Sequence, residues 1–339
     1  MKMRMNQAIA RALADEMRAD PSVVVFGEDV AEAGGVFKTS VGLLDEFGPM
    51  RVRNTPISEL AIAGAAVGAA AAGLRPVAEI MFVDFIGLAL DPIVTQGAFM
   101  HYLSNGSVTA PLVIRTTVGS GRGMGATHSR TLESWFLQAP GLKVAAVSSP
   151  RTAYGLLRAA IRDDAPVVML EPKMLYGKRE DFEPGDDAII PLGRGEVVRS
   201  GSDATVVTLG PTVDVGTRVA DESAASLEVI DLRSIRPWDE DLVCTSVRKT
   251  GRLVIVEEGP HTGGWSNTVA ATVGVELFGE MRAPIFRITS PDVPVPFARR
   301  LETEMYFPSP TWVGPAVERF LDTDQVPPLW WQTERGEAS

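Results

Sequence analysis

Apolar residues follow two rhythms along this chain. Met5–Ala19 places Ile9, Leu13 and Met17 on one face at helical spacing, and Asp20-Pro21 ends the run. Val23–Phe26 is a short apolar run with the length of a buried strand. Leu60–Gly73 reads as the next helix, Pro76–Phe82 as a strand, and Asp84–Ser104 as a second, longer helix. Leu112–Thr116 is again a strand, followed by a glycine-rich loop, Gly119–Gly125. Val144–Val147, Thr152–Arg162 and Val167–Leu170 complete a strand–helix–strand set. Continuous apolar strands separated by helices predict a mainly parallel sheet covered on both faces.

The segment Tyr176–Gly195 breaks this rhythm with Asp181, Glu183, Pro184, Asp186, Asp187 and Pro191. A second alternation follows. Ala204–Leu209, Leu227–Leu232, Leu253–Val256 and Ile285–Ile288 read as strands, with Val213–Glu222, Glu240–Thr250 and Ser266–Phe278 as helices between them. The expected fold is α/β, with two doubly wound domains over residues 1–187 and 188–339.

Composition narrows the function. A formal net charge of -11 disfavours phosphate-dominated binding of nucleic acid, which needs clustered Lys and Arg. A single cysteine, Cys244, excludes an intramolecular disulfide and a CxxC metal site; its helical, apolar setting predicts a buried thiol. Three histidines (His101, His128 and His261) leave little room for a His-rich metal cluster. Lys2, Arg4, Arg11, Asp15 and Glu16 leave no apolar core for a secretory leader near the start. Leu60–Leu74 is uncharged but shorter than the about 20 residues of a membrane span. A cytoplasmic location is expected.

Leu60–Gly73 holds Gly64, Gly68 and Gly73 with eight alanines between Ala61 and Ala72. Glycine weakens an exposed helix by roughly 1 kcal/mol relative to alanine. Gly64 and Gly68 share one face, which points to close helix–helix contact within the subunit or across an interface. Just before this helix stands Glu59. From its neighbours alone it fits a helix-start carboxylate behind an N-cap, Ser58.

Longer motifs change that reading. Thr55-Pro56-Ile57-Ser58-Glu59 is followed by Ala63-Gly64-Ala65-Ala66-Val67-Gly68 and by Gly73-Leu74-Arg75-Pro76-Val77-Ala78-Glu79. Gly27-Glu28-Asp29-Val30, Phe82-Val83-Asp84-Phe85, Thr127-His128-Ser129, Pro140-Gly141-Leu142-Lys143-Val144, Ala160-Ile161-Arg162-Asp163, Val229-Ile230-Asp231-Leu232-Arg233 and Val293-Pro294-Val295-Pro296 keep the same order. Over nearly its whole length the chain resembles the beta subunit of the thiamine-diphosphate-dependent 2-oxo acid dehydrogenases, the decarboxylating first component. The resemblance implies a pyrimidine-binding domain followed by a transketolase C-terminal-like domain. It also implies an alpha subunit in an alpha2beta2 heterotetramer. In that family the diphosphate and its Mg2+ lie on the alpha subunit within a Gly-Asp-Gly motif, and this chain contains none.

The resemblance assigns roles by position. Glu59 corresponds to the carboxylate that hydrogen-bonds N1' of the aminopyrimidine, a charge-assisted bond in a water-poor site. Phe85 corresponds to the ring that stacks on the pyrimidine, and Ile57 to a further cofactor contact. Read from the residues alone, Phe85 fits core packing beside Phe82 equally well. His128 corresponds to the histidine that exchanges protons as the acyl group passes to a lipoyl group, although a solvated loop histidine fits its neighbours. Four glycines in Gly119–Gly125 predict a mobile loop ahead of it. Leu112, Ala160, Ile161, Asp163 and Ala165 correspond to a potassium site made mostly of carbonyls plus one aspartate; Asp163 also fits a helix-terminal turn.

The partners implied are the alpha subunit and a lipoylated dihydrolipoyl acyltransferase, with a 2-oxo acid as substrate. Pyruvate is favoured, and acetoin and branched-chain 2-oxo acids are alternatives. A split transketolase or carboligase half would use the same half-site without lipoyl transfer, and a non-catalytic scaffold is a rival of another class. Leu88, Pro92 and Arg130 depart from residues common in the family, so they bear on substrate and acceptor. Pro92 is also expected to kink or restart its helix.

Overall fold

The Met5–Ala19 helix buries Met5, Ile9, Leu13 and Met17 against Leu156, Leu157 and Ala160 of the Pro150–Arg162 helix. Both helices form where the apolar spacing predicts them. Between them Glu16, 3% exposed, accepts hydrogen bonds from Arg158 Nε at 2.6 Å and Arg162 Nε at 2.9 Å. A carboxylate so buried is stable only because two guanidinium groups meet it. The coordinates are a computed structural model that describes residues 1–336.

The chain divides into two units. The first comprises Met1–Val118, Trp135–Leu192 and Ile235–Pro237. Its seven-stranded sheet runs, from one edge, Ser234–Arg236, Lys143–Ala146, Val167–Pro172, Val113–Val118, Arg75–Phe82, Val23–Gly27, Val52–Asn54. The last six pair in parallel. Val113–Val118 and Val167–Pro172 are buried at every position, the signature of a sheet covered on both faces.

The second unit comprises Gly119–Ser134, Gly193–Ser234 and the residues from Trp238 onward. Its sheet order is Phe286–Ser290, Leu253–Pro260, Ala204–Thr208, Leu227–Asp231, Glu196–Arg199. Four strands are parallel, and Glu196–Arg199 is an antiparallel edge. Phe286, Ile288, Val313, Val317 and Phe320 share its core. Cys244 is buried and unpaired by disulfide in the Glu240–Thr250 helix, and burial raises its thiol pKa.

In two places the structure refines or adds to the sequence expectation. Asp84–Ser104 is not one helix. It is a 3-10 segment, Val83–Ala89, a π segment, Asp91–Gly97, and a short α-helix, Met100–Leu103, with a 54° bend between the first and the rest. Pro92 is the physical cause: it has no N–H to donate and its ring displaces the preceding turn. Pro310–Thr323 is a helix where no element was expected, and it tolerates Pro315 in its interior. Among the described residues no single helix is long and apolar enough to cross a membrane.

Candidate active site

In an open parallel sheet, ligands bind beyond the carboxyl ends of the strands. In the first unit that edge gathers the predicted cofactor residues. Val23–Gly27 lies between Val52–Asn54 and Arg75–Phe82. Gly27 ends its strand where a Cβ would lie 2.7 Å from the Glu79 carbonyl oxygen, so only glycine fits without movement. Thr55 N–H donates to the Gly27 carbonyl at 2.9 Å, and Ala31 N–H donates to Asn54 Oδ1 at 2.8 Å. These bonds fix the segment that leads from the strand into the next helix.

Glu59 is the first residue of that helix, Glu59–Ala71, with Ser58 at the N-cap position. The Ser58 side chain makes no capping bond, so its part is conformational only. Glu59 is 8% exposed, and among the described residues none donates a hydrogen bond to its carboxylate. Its oxygens are therefore available to an incoming donor. Ile57 is 81% exposed in the same approach segment.

Phe85 follows Arg75–Phe82, on the other side of Val23–Gly27 from Val52–Asn54, and is half-buried. Its ring meets Phe82 edge-on, with centroids 5.9 Å apart and planes at 87°. Phe82 meets Phe37 in the same way at 5.9 Å, and Phe37 stacks on Tyr176 at 5.0 Å. Phe85 thus packs into a row of rings and is half-buried. The packing reading is visible in these contacts; the stacking reading concerns a ligand. Leu88, further along, is exposed.

Glu28 joins this edge. Its pKa is raised, first by burial and then by the Glu59 carboxylate. Sequence reasoning recorded its motif but assigned it no role; the signal available was its place directly after a strand. The partnerships within a deeper set are not read from the sequence. Arg115 donates to Glu79 Oε2 at 2.8 Å and to both oxygens of Glu171 at 2.7 and 2.8 Å, and Tyr176 Oη donates to Glu171 at 2.8 Å. Burial opposes the Arg115 charge, yet Glu171 and Glu79 hold it firmly protonated. Burial raises Glu79, with Arg115 acting against it. Lys173 is fully buried, its ammonium 5.7 Å from the Phe82 ring centre. Charged residues inside otherwise apolar strands were the visible signal.

The five positions the resemblance assigns to potassium all lie in the first unit: Leu112 precedes Val113–Val118, Ala160 and Ile161 are in the last turn of Pro150–Arg162, and Asp163 and Ala165 follow it. Asp163 caps that helix, and its carboxylate is engaged: Oδ2 accepts from Lys143 Nζ at 2.5 Å and Oδ1 from Ala165 N–H at 2.9 Å. Arg75 Nη1 donates to the carbonyls of Ile161 and Asp163 at 3.0 and 3.1 Å. The carbonyls of Leu112 and Ala160 accept backbone bonds from Val167 and Asp163. A carbonyl has two acceptor sites and each carboxylate oxygen has two as well, so the main-chain oxygens and the Asp163 side chain each retain capacity beyond the bonds already made.

In the second unit, His128 is half-buried with Nδ1 3.0 Å from Thr127 Oγ1, and its N–H donates to the Gly125 carbonyl at 3.3 Å. His261 Nδ1 lies 3.0 Å from Thr289 Oγ1 and its ring meets Trp331 edge-on. Burial, then Arg287, lowers its pKa. His101 is exposed on the Met100–Leu103 helix.

Residues 1–179 match the transketolase pyrimidine-binding domain and residues 193–313 the transketolase C-terminal domain. The pyruvate dehydrogenase E1 component beta subunit of Rickettsia bellii is 41% identical, over 94% of this chain and 98% of its own. The chain belongs to the beta-subunit family of the 2-oxo acid dehydrogenase first component. Acetoin:2,6-dichlorophenolindophenol oxidoreductase subunit beta of Bacillus subtilis is 42% identical, over 90% of this chain and 93% of its own. The mitochondrial 2-oxoisovalerate dehydrogenase beta subunit of Dictyostelium discoideum is 44% identical, over 87% of this chain and 81% of its own. Among solved structures, a split-gene transketolase in an inactive beta4 tetramer superposes with a TM-score of 0.77 at 23% identity, covering 95% of this chain and 99% of that one. At that identity the likeness concerns the fold, which is transketolase-like, as the sequence resemblance implies.

Proposed function

We propose that this chain provides the aminopyrimidine half of a thiamine-diphosphate site in a 2-oxo acid dehydrogenase, with pyruvate as the favoured substrate. The observation that carries this is Glu59: a buried carboxylate at a helix start, at the carboxyl edge of a parallel sheet, with no donor among the described residues. Such a group suits the N–H of a flat heterocycle, and the aromatic ring of Phe85, half-buried at the same edge, suits its face. When bound, the cofactor supplies the carbon nucleophile that a protein side chain cannot.

The residues then have distinct tasks. Glu59 would hold the proton shared with N1' of the bound aminopyrimidine, donating it as the acid to the neutral ring and accepting from N1'–H as the carboxylate once the ring is protonated. Phe85 orients the ring by its face, and Ile57 adds apolar contact. His128 moves a proton at the acyl-transfer step to a lipoylated dihydrolipoyl acyltransferase. Main-chain oxygens of Leu112, Ala160, Ile161, Asp163 and Ala165 would hold potassium, a structural cation remote from the reacting atoms.

The chain offers no Gly-Asp-Gly motif and, among the described residues, no cluster of metal-ligating side chains. The diphosphate and Mg2+ therefore fall to an alpha subunit, in an alpha2beta2 heterotetramer, and the chain alone is inactive. Pyruvate, acetoin and 2-oxoisovalerate relatives stand at nearly equal identity, so an assay must separate them. The test is co-purification with the alpha-type partner, then assay of each donor with a dye and with a lipoylated acceptor. Turnover of pyruvate with both acceptors is expected. Dye reduction without lipoyl transfer would replace this reading by a carboligase-type half, and no turnover with any donor would favour a scaffold.

A further inference from the structure

The loop that carries His128 is glycine-rich, which predicts mobility, yet the second unit holds it by buried acids. Gly119, Gly121, Gly123 and Gly125 have φ of +86°, +92°, +66° and +72°. Left-handed glycines turn main-chain N–H groups toward anions, and L residues avoid that conformation. Ser120 N–H donates to Glu258 Oε1 at 2.5 Å, and Gly123 N–H donates to Glu302 Oε2 at 2.8 Å. Glu258 stands on the Leu253–Pro260 strand and Glu302 opens the Glu302–Tyr306 turn; both are buried. A Cβ on Gly119 would come within 2.9 Å of Glu258 Oε2, and one on Gly125 within 3.1 Å of the Phe297 ring. Gly119 N–H donates to the Arg130 carbonyl at 3.0 Å and closes the loop at its base, with Ser129 fully buried.

We infer that Glu258 and Glu302 are positioning residues for His128: their carboxylates fix the loop by accepting the Ser120 and Gly123 N–H groups. A charged acceptor makes these bonds stronger than a neutral one. Losing them would leave a buried carboxylate short of donors, so release of the loop is opposed twice. This inference rests on the role of His128 in acyl transfer proposed above.

The experiment uses the assembled complex with the alpha subunit. Glu258→Met and Glu302→Met remove the acceptor at similar volume; Glu258→Gln and Glu302→Gln keep a carbonyl acceptor. Hydrogen exchange over residues 119–130 and trypsin cleavage after Arg122 report the loop directly. Exchange is expected to rise roughly tenfold or more in the Met variants and to return most of the way in the Gln variants. The kcat for lipoyl acylation is expected to fall while KM for the 2-oxo acid stays unchanged. Unaltered exchange in both Met variants overturns the inference. Faster exchange with unaltered acylation would instead remove His128 from the reaction and leave the anchor standing. Should the Met variants fail to fold, Gly119→Ala disturbs the Glu258 contact from the loop side, and unchanged exchange there decides against the anchor.

Discussion

Glu79 and Arg115 are register partners on neighbouring parallel strands, and their side chains meet at 2.8 Å in the interior of the first unit. Arg115 is 1% exposed and binds Glu171 with both oxygens as well. One guanidinium therefore serves two buried carboxylates. Arg115→Met leaves them facing each other without it and is expected to destabilise the chain by roughly 3–5 kcal/mol. Arg115→Lys is expected to recover only part, because an ammonium cannot form the bidentate pair. Urea denaturation reads both; a midpoint unchanged in Arg115→Met would contradict the arrangement.

This set also marks what the sequence shows and what it hides. The helix of Met5–Ala19 and the parallel strands are legible because burial imposes a period. Glu59, Phe85 and Ile57 are singled out only through motif position; Ile57 and Glu59 follow Val52–Asn54 and Phe85 follows Arg75–Phe82, the two strands that flank Val23–Gly27, and their roles are those proposed above. Glu79, Arg115 and Glu171 are not legible as partners, since they come from three strands far apart in sequence. The break in Asp84–Ser104 is legible in Pro92, which is expected to kink or restart the helix; what the spacing does not show is that the pieces are 3-10 and π segments. In the loop before His128, glycine count points to freedom, whereas the carboxylates that accept its Ser120 and Gly123 N–H groups lie more than a hundred residues away and are invisible in the local sequence.

Glu133 gives stability a pH dependence. Burial raises its pKa well above 4.5, against a backbone hydrogen bond, and Glu257 and Glu258 add to the rise. A carboxyl whose folded pKa is raised stabilises the fold below its unfolded value and loses that contribution as pH rises through the folded value. Glu133→Gln removes the ionisation. It should melt close to wild type below about pH 4.5 and above wild type at pH 8. Thermal melts across this range check it; a difference that does not widen with pH would mean Glu133 is not held in its neutral form.

Glu59→Gln tests the centre of the proposed function. The amide keeps the shape of the side chain but loses the charge that makes the N1' hydrogen bond strong. Activity is expected to fall by roughly a hundredfold or more, while gel filtration still shows the complex with the alpha subunit. Wild-type turnover in an assembled mutant would remove Glu59 from the reaction.

Gly64 and Gly68 bear on assembly. The sequence points to a close helix contact on their face, within the chain or outside it. Within the chain a Cβ on either glycine would meet nothing within 4 Å, and Leu60 beside them is 56% exposed. The opposite face, with Ile62, Ala63, Ala66, Val67 and Ala70, is the one the first unit buries. Two glycines on an open helical face weaken the helix with no packing return inside the chain, which fits a contact supplied by another subunit. Opposite signs are therefore expected. Alanine at both positions should stabilise the isolated chain by about 0.5–1 kcal/mol per site. Gly64→Leu should leave the chain folded but weaken its association with the alpha partner, read by sedimentation. Full assembly of the Gly64→Leu chain would show that this face lies outside the interface.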